Sequence, residues 1–192
     1  YGFDAQIASG GFGFCSGAAS IVWSITGLDY RLMAATRKKE VRKAKKGERI
    51  RQVAAIPYRL NERGEIEVML VTSRTTRRFI VPKGWPMKGK SARKAATIEA
   101  QEEAGVLGKT LKEPAGTYTY WKRLSNRFVR VDVIVYLLTV TEELANWQEA
   151  KRRQRAWLAP ADAAMLIDEP DLSTLVKTIR VPPTPATEPP VA

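Results

Sequence analysis

The chain has 192 residues, 44% of them hydrophobic and 27% charged, which suits one folded domain with extensions. It holds no histidine and a single cysteine, Cys15. That excludes an intrachain disulfide, histidine-based acid–base catalysis and histidine-ligated zinc, and the formal net charge of +12 favours anionic partners by raising their local concentration.

Any chemistry must therefore rest on carboxylates, lysines, tyrosines or a hard metal ion. Without a histidine to activate it, Cys15 reads as an incidental thiol rather than a nucleophile, and a lone cysteine suits a reducing, cytoplasmic setting. Residues 1–32 are glycine-rich, with Gly10, Gly11, Gly13 and Gly17, and show no clear period. The apolar run 18–28 is broken by Ser20, Ser24, Thr26 and Gly27 and is too short to span a membrane. The first basic residue, Arg31, comes too late for a signal peptide. This segment reads as a poorly ordered extension, with Met33 as a candidate natural start. Residues 37–51 then carry nine basic side chains against two acidic ones. Such a run is usually a solvated tail; contact with nucleic acid is the rival, open but not favoured.

From Ile50 the pattern becomes that of a folded domain. Residues 52–60 (QVAAIPYRL) read as a strand, 61–64 (NERG) as a turn and 66–73 as the next strand. A polar bend with Arg74, Arg77 and Arg78 leads to a short strand at 79–81. Next come a glycine-rich loop, 83–90, and a helix for which Ser91 is a candidate N-cap and Gly105 a candidate stop. On that helix Glu99, Glu102 and Glu103 stand three and four residues apart, so their carboxylates crowd one side. Like charges at this spacing repel, and either solvent or a bound cation must relieve them. Mg²⁺ prefers such hard oxygens and keeps positions open for water and phosphate.

Further on, 116–122 are β-like and 123–127 form a loop. Residues 128–140 give the strongest strand, with Val129, Val131, Val133, Val135 and Leu137 at period two. Apolar Ile134, Tyr136 and Leu138 on the alternate positions make it a buried central strand. Residues 141–153 are polar and fit a helix, 155–158 (RAWL) a strand, 160–167 a helix beginning at Pro160, and 171–179 a short further piece. Five prolines in 182–192 point to a disordered tail. The organisation expected is an extension at 1–49, a domain at 50–180 and a tail at 181–192.

The loop and helix together resemble the Nudix box. Gly84, Glu99, Glu102, Glu103, Gly105 and Val106 stand at its matching positions, and Ala100 fills an aliphatic one. Lys90 replaces the usual glutamate and Ile98 the usual arginine, two side chains that brace the loop in the family. Packing of Trp85, Pro86 and Ile98 is the expected substitute. The stretch PKGWP at 82–86 resembles a bacterial subgroup related to diphosphoinositol polyphosphate and diadenosine polyphosphate hydrolases. The resemblance implies a mixed sheet between helices, an α/β/α sandwich. It implies Mg²⁺ or Mn²⁺ held by Glu99, Glu102 and Glu103 with the Gly84 carbonyl, and Glu102 and Glu103 in catalysis. It also implies hydrolysis of a phosphoanhydride in a polyphosphorylated small molecule. A base outside the box, as some relatives use, has candidates in Glu142, Glu143 and Glu149. Arg77, Arg78, Lys83, Lys88 and Lys90 flank the site as candidate phosphate ligands. Tyr118, Tyr120 and Trp121 are either core or a stacking surface. The rivals are the same chemistry on another nucleoside diphosphate derivative, and a non-catalytic module that binds nucleotides or RNA.

Overall fold

The computed structural model describes residues 48–123 and 127–181, together with Arg42. The expectations for the extension, for Cys15 and Met33, for most of the basic arm, for the middle of the 123–127 loop and for the 182–192 tail lie outside the described residues.

Strand β1 (Ile50–Leu60) turns through Asn61 into β2 (Ile66–Thr72). The Asn61 side chain accepts from the backbone N–H groups of Arg63 and Glu65, which fixes the turn. Two short strands follow, β3 (Phe79–Ile80) and β4 (Lys83–Gly84), then helix α1 (Ala92–Ala104). Strands β5 (Val106–Arg123), β6 (Phe128–Glu143) and β7 (Arg155–Leu158) and helices α2 (Pro160–Met165) and α3 (Pro170–Lys177) complete the domain. The seven strands make one mixed sheet in the order β3-β2-β1-β6-β5, with β4 pairing β1 and β7 pairing β2. Strands β1 and β6 run parallel, from Ile50 beside Val131 to Tyr58 beside Thr139, and their neighbours are antiparallel.

The sheet is apolar on both faces, which is why it needs helices on both. Val129, Val131, Val133, Val135 and Leu137 of β6 join Ile50, Ala54 and Ile56 of β1 on one face, under Ala163, Ala164, Leu172 and Val176 of α2 and α3. The alternate positions Val53, Ala55, Tyr136 and Leu138 face the other way, under Ala95, Ala96, Ala100 and Ala104 of α1. The period-two reading of β6 and the α/β/α sandwich both hold. Among the described residues no helix is long and apolar enough to cross a membrane.

Two expectations are corrected. Strand β5 begins at Val106 rather than at Gly116. Its first half escapes the pattern because register shifts at Leu107/Gly108, Thr110/Pro114 and Pro114/Gly116 break the alternation of its side chains. Residues 144–153 are not a helix: β6 runs on to Glu143, and a loop of tight turns follows, closed by Ala150 N–H to the Trp147 carbonyl and Arg153 N–H to the Glu149 carbonyl.

Helix α1 stops where the sequence says. Gly105 takes φ 65° and donates its N–H to the Gln101 carbonyl. A Cβ there would lie 2.6 Å from the Trp147 ring. Gly105→Ala is expected to cost about 2 kcal/mol or more, from left-handed strain and displacement of the indole. Equilibrium denaturation measures this, and a loss under about 0.5 kcal/mol, the range of neutral surface changes, would show that Trp147 does not pack on Gly105.

Candidate active site

The carboxylates are placed by the smallness of the residues around them. Helix α1 starts at Ser91, whose hydroxyl accepts from Lys94 N–H at 3.2 Å. Its buried side chains are four alanines, Glu99 and Glu103. Alanines let the helix axis come close to β1 and β5, so the two glutamates, one turn apart, are pressed against β4. Each is only 8% exposed. Strand β4 extends the ladder of β1, pairing Gly84 with Val53 and Lys83 with Ala54, and the Pro82 carbonyl accepts from Ala55 N–H at 3.0 Å. Lys83 N–H in turn donates to Glu103 Oε2 at 3.0 Å. Gly84 has a different reason to be glycine from Gly105: a Cβ there would fall 1.8 Å from Glu99 Oε1. The glutamate fills the place of the missing side chain.

Burial sets the electrostatics. It pushes the Glu99 carboxyl well above the usual range, and the neighbouring charges of Glu103, Glu102 and Glu149 add to the rise. Burial raises Glu103 as well, opposed by the Arg153 guanidinium and the Lys83 N–H. The Lys83 ammonium is lowered by burial to about 8, against the pull of Glu103 and Glu169. Two further groups stand out: Glu149, one of the three candidate bases, and Arg153, which the sequence did not announce. Arg153 has a side chain 4% exposed and donates to the Thr72 carbonyl at 2.9 Å, to Glu149 Oε2 and to Glu103 Oε1. Glu149 also accepts from Arg74 at 3.2 Å. Both residues come from the loop after β6, and a contact across 50 positions of sequence leaves no local signature.

That loop is held at the C-terminal end of α1. Leu144 N–H donates to the Gly105 carbonyl at 2.8 Å. The Arg155 guanidinium lies 4.4 Å from the Trp147 ring centroid and donates to the Ala104 and Gly105 carbonyls at 3.0 and 3.1 Å. A cation on these terminal carbonyls also complements the helix dipole.

The remaining sequence candidates divide clearly. Lys83 sits beside Glu103, whereas Lys88 and Lys90 are exposed on the loop. Arg77, at φ 58°, turns away and donates to the Arg152 carbonyl at 2.7 Å. Arg78 pairs with Asp168 at 3.1 Å and Glu169 at 3.0 Å. Of the three candidate bases, Glu142 is exposed and Glu143 is engaged by Arg59 and Trp157, so Glu149 alone of them acts on Glu99 and Glu103. Trp85 packs on the α2–α3 face and Ile98 on the α1 face, so the expected joint brace of Trp85 with Ile98 is replaced by backbone bonds from 82 and 83. Tyr118 and Tyr120 stack in the core with centroids 6.1 Å apart, Tyr120 donates to Gln52, and Trp121 is exposed.

The donor set fits a hard divalent cation: oxygen throughout, desolvated, mutually repelling, and resting on a glycine cradle. As the side chains stand, no three acids among the described residues meet around one ion position, and Arg153 lies among them.

The folded part of the chain is similar to known proteins. In Arabidopsis thaliana, Nudix hydrolase 12, mitochondrial, is 33% identical over 129 residues, covering 58% of this chain and 63% of that protein. Human diphosphoinositol polyphosphate phosphohydrolase 3-alpha is 37% identical over 106 residues, covering 54% and 61%. The chain thus spans under two thirds of these relatives. A crystal structure of a C. elegans Ap4A hydrolase binary complex shares the fold, with a TM-score of 0.51 at 20% identity, covering 66% of this chain and 92% of that one. The NUDIX domain model matches residues 49–178, and the chain belongs to that family.

Proposed function

We propose that this protein hydrolyses a phosphoanhydride bond in a polyphosphorylated small molecule, with Mg²⁺ or Mn²⁺ held by Glu99, Glu102, Glu103 and the Gly84 carbonyl. The observation that carries the reading is the pair of buried, mutually repelling carboxylates, Glu99 and Glu103, seated on the backbone of a two-residue strand. Burying carboxylates that repel one another is costly, so the arrangement persists where cations share it. When bound, the metal would neutralise phosphate oxygens and lower the pKa of a water.

The protein's own groups do the rest. The backbone of β4 orients Glu99 and Glu103 before substrate arrives. Glu149, brought in by the loop after β6, is the carboxylate outside the box best placed to take a proton from the attacking water. The Lys83 ammonium, 5.6 Å from the Tyr120 ring centroid and within the field of Glu103 and Glu169, serves as the inner phosphate ligand, with Lys88 and Lys90 at the rim. Arg77 and Arg78 are weaker phosphate ligands, since the first is spent on a carbonyl and the second is neutralised by two acids. Diphosphoinositol polyphosphates and dinucleoside polyphosphates are the preferred substrates, on the cationic loop and the relatives' names. Other nucleoside diphosphate derivatives are the alternative within the same chemistry.

Product release with Mg²⁺ should be measured on diphosphoinositol pentakisphosphate, diadenosine hexaphosphate, ADP-ribose and an oxidised dGTP. One compound is expected to turn over, and chelation to stop it. Glu103→Gln should lower kcat by at least about a hundredfold. Silence on every compound with either metal would favour a non-catalytic nucleotide-binding module instead. Gly84→Ala is expected to cost about a hundredfold in kcat by shifting Glu99 from its seat, with the fold intact by circular dichroism. Glu149→Gln should lower kcat on the order of a hundredfold while Glu142→Gln leaves it unchanged. Equal effects at the two positions would remove Glu149 from its role.

A further inference from the structure

Arg153 is a buried cation in the middle of an acidic site. Its position is over-determined at the root. Thr72 N–H donates to the Gln154 carbonyl at 2.9 Å, and Gln154 N–H returns to Thr72 Oγ1 at 2.9 Å. The Arg153 backbone is therefore stitched to the end of β2. From there the guanidinium spreads its donors over three acceptors: Nη1 to the Thr72 carbonyl, Nε to Glu149 and Nη2 to Glu103. Only the last reaches the helix that carries the box glutamates.

The arrangement neutralises charge that would otherwise be intolerable. Glu99 and Glu103 are buried one helical turn apart, and Arg153 ties Glu103 to Glu149 through two of its donors. It also takes up a Glu103 oxygen that a metal ion would use. Two cations cannot share Glu103 Oε1 at low cost: a guanidinium at hydrogen-bond distance repels a divalent ion strongly in a buried site.

Building on the metal-dependent reading, we propose that Arg153 is a resident counter-cation of the carboxylate cluster, displaced from Glu103 when a divalent cation binds. The displacement is small, since the guanidinium keeps the Thr72 carbonyl and Glu149 and gives up one acceptor. Arg153 is then a positioning residue. It keeps Glu103 and Glu149 facing each other before metal arrives, at the expense of metal affinity.

The test uses the full chain and Mn²⁺ alone, titrated with the electron paramagnetic resonance signal of free Mn²⁺ as the readout. Arg153→Gln keeps hydrogen-bond donors and removes the charge, whereas Arg153→Lys keeps the charge and removes the fork. The dissociation constant for Mn²⁺ should tighten on the order of tenfold in Arg153→Gln and stay within about threefold of the unchanged protein in Arg153→Lys. In chelator the Tm of Arg153→Gln should fall, and Mn²⁺ should raise it by more than it raises the unchanged protein. A variant folded only with Mn²⁺ present supports the proposal in the same way. Weaker or equal Mn²⁺ binding in Arg153→Gln, or a variant unfolded with and without Mn²⁺, overturns it and leaves Arg153 as a structural brace. Absence of Mn²⁺ binding in the unchanged protein would remove the metal reading itself, and this inference with it.

Discussion

The seat of Glu99 on Gly84 is the constraint from which the rest of the structure follows. A carboxylate can approach a backbone that closely only where there is no Cβ, and only if the helix bearing it also comes close. The alanine face of α1 provides the second condition, and the pairing of β4 with β1 provides the first a rigid footing. Glu103, one turn later, is then carried to the Lys83 N–H with no further adjustment. The site is therefore a property of the sheet and helix together, and no mobile loop is needed to assemble its first two carboxylates.

Such a seat creates an electrostatic problem that the surrounding chain must solve. Glu99 and Glu103 lose water on burial and face each other across one helical turn. The usual family arginine at the position before Glu99 is Ile98 here, and Ile98 packs into the core. The compensating charges arrive from elsewhere in the chain: Lys83 from β4 and Arg153 from the loop after β6. That loop in turn needs anchoring, which explains why its Trp147 and the first residue of β7, Arg155, converge on the end of α1. A chain of dependence runs from one glycine to a loop some sixty positions further along the sequence.

What the sequence displays is what is local. The glutamate spacing, Ser91 as cap, Gly105 as stop and the alternation in β6 are all short-range patterns, and each appears in the structure where it was read. The first half of β5 is hidden because bulges destroy the alternation by which a strand is recognised. Strand β4, two residues long, has no periodicity to show and exists only because β1 offers it a ladder. The expectation of a helix over 141–153 does not hold, since 141–143 end β6 and the rest is a loop of turns. Its polar residues look like a solvated helix face, but Glu149 and Arg153 are polar because they are spoken for by a site across the fold.

The same distinction decides how the positive charge of the chain should be read. Counted by proximity in sequence, Arg77, Arg78, Lys88 and Lys90 surround the box and look like the phosphate ligands. In space, Arg78 is matched by Asp168 and Glu169, Arg77 holds a carbonyl, and both box-loop lysines are exposed. The cations that act on the glutamates are the two that burial has singled out, Lys83 and Arg153. A buried charge must have a counter-charge, whereas an exposed one need not, so burial carries more information about this site than net charge does. The excess of +12 remains a statement about the long-range attraction of anions, and the specificity for any one of them must come from the few groups that have given up water.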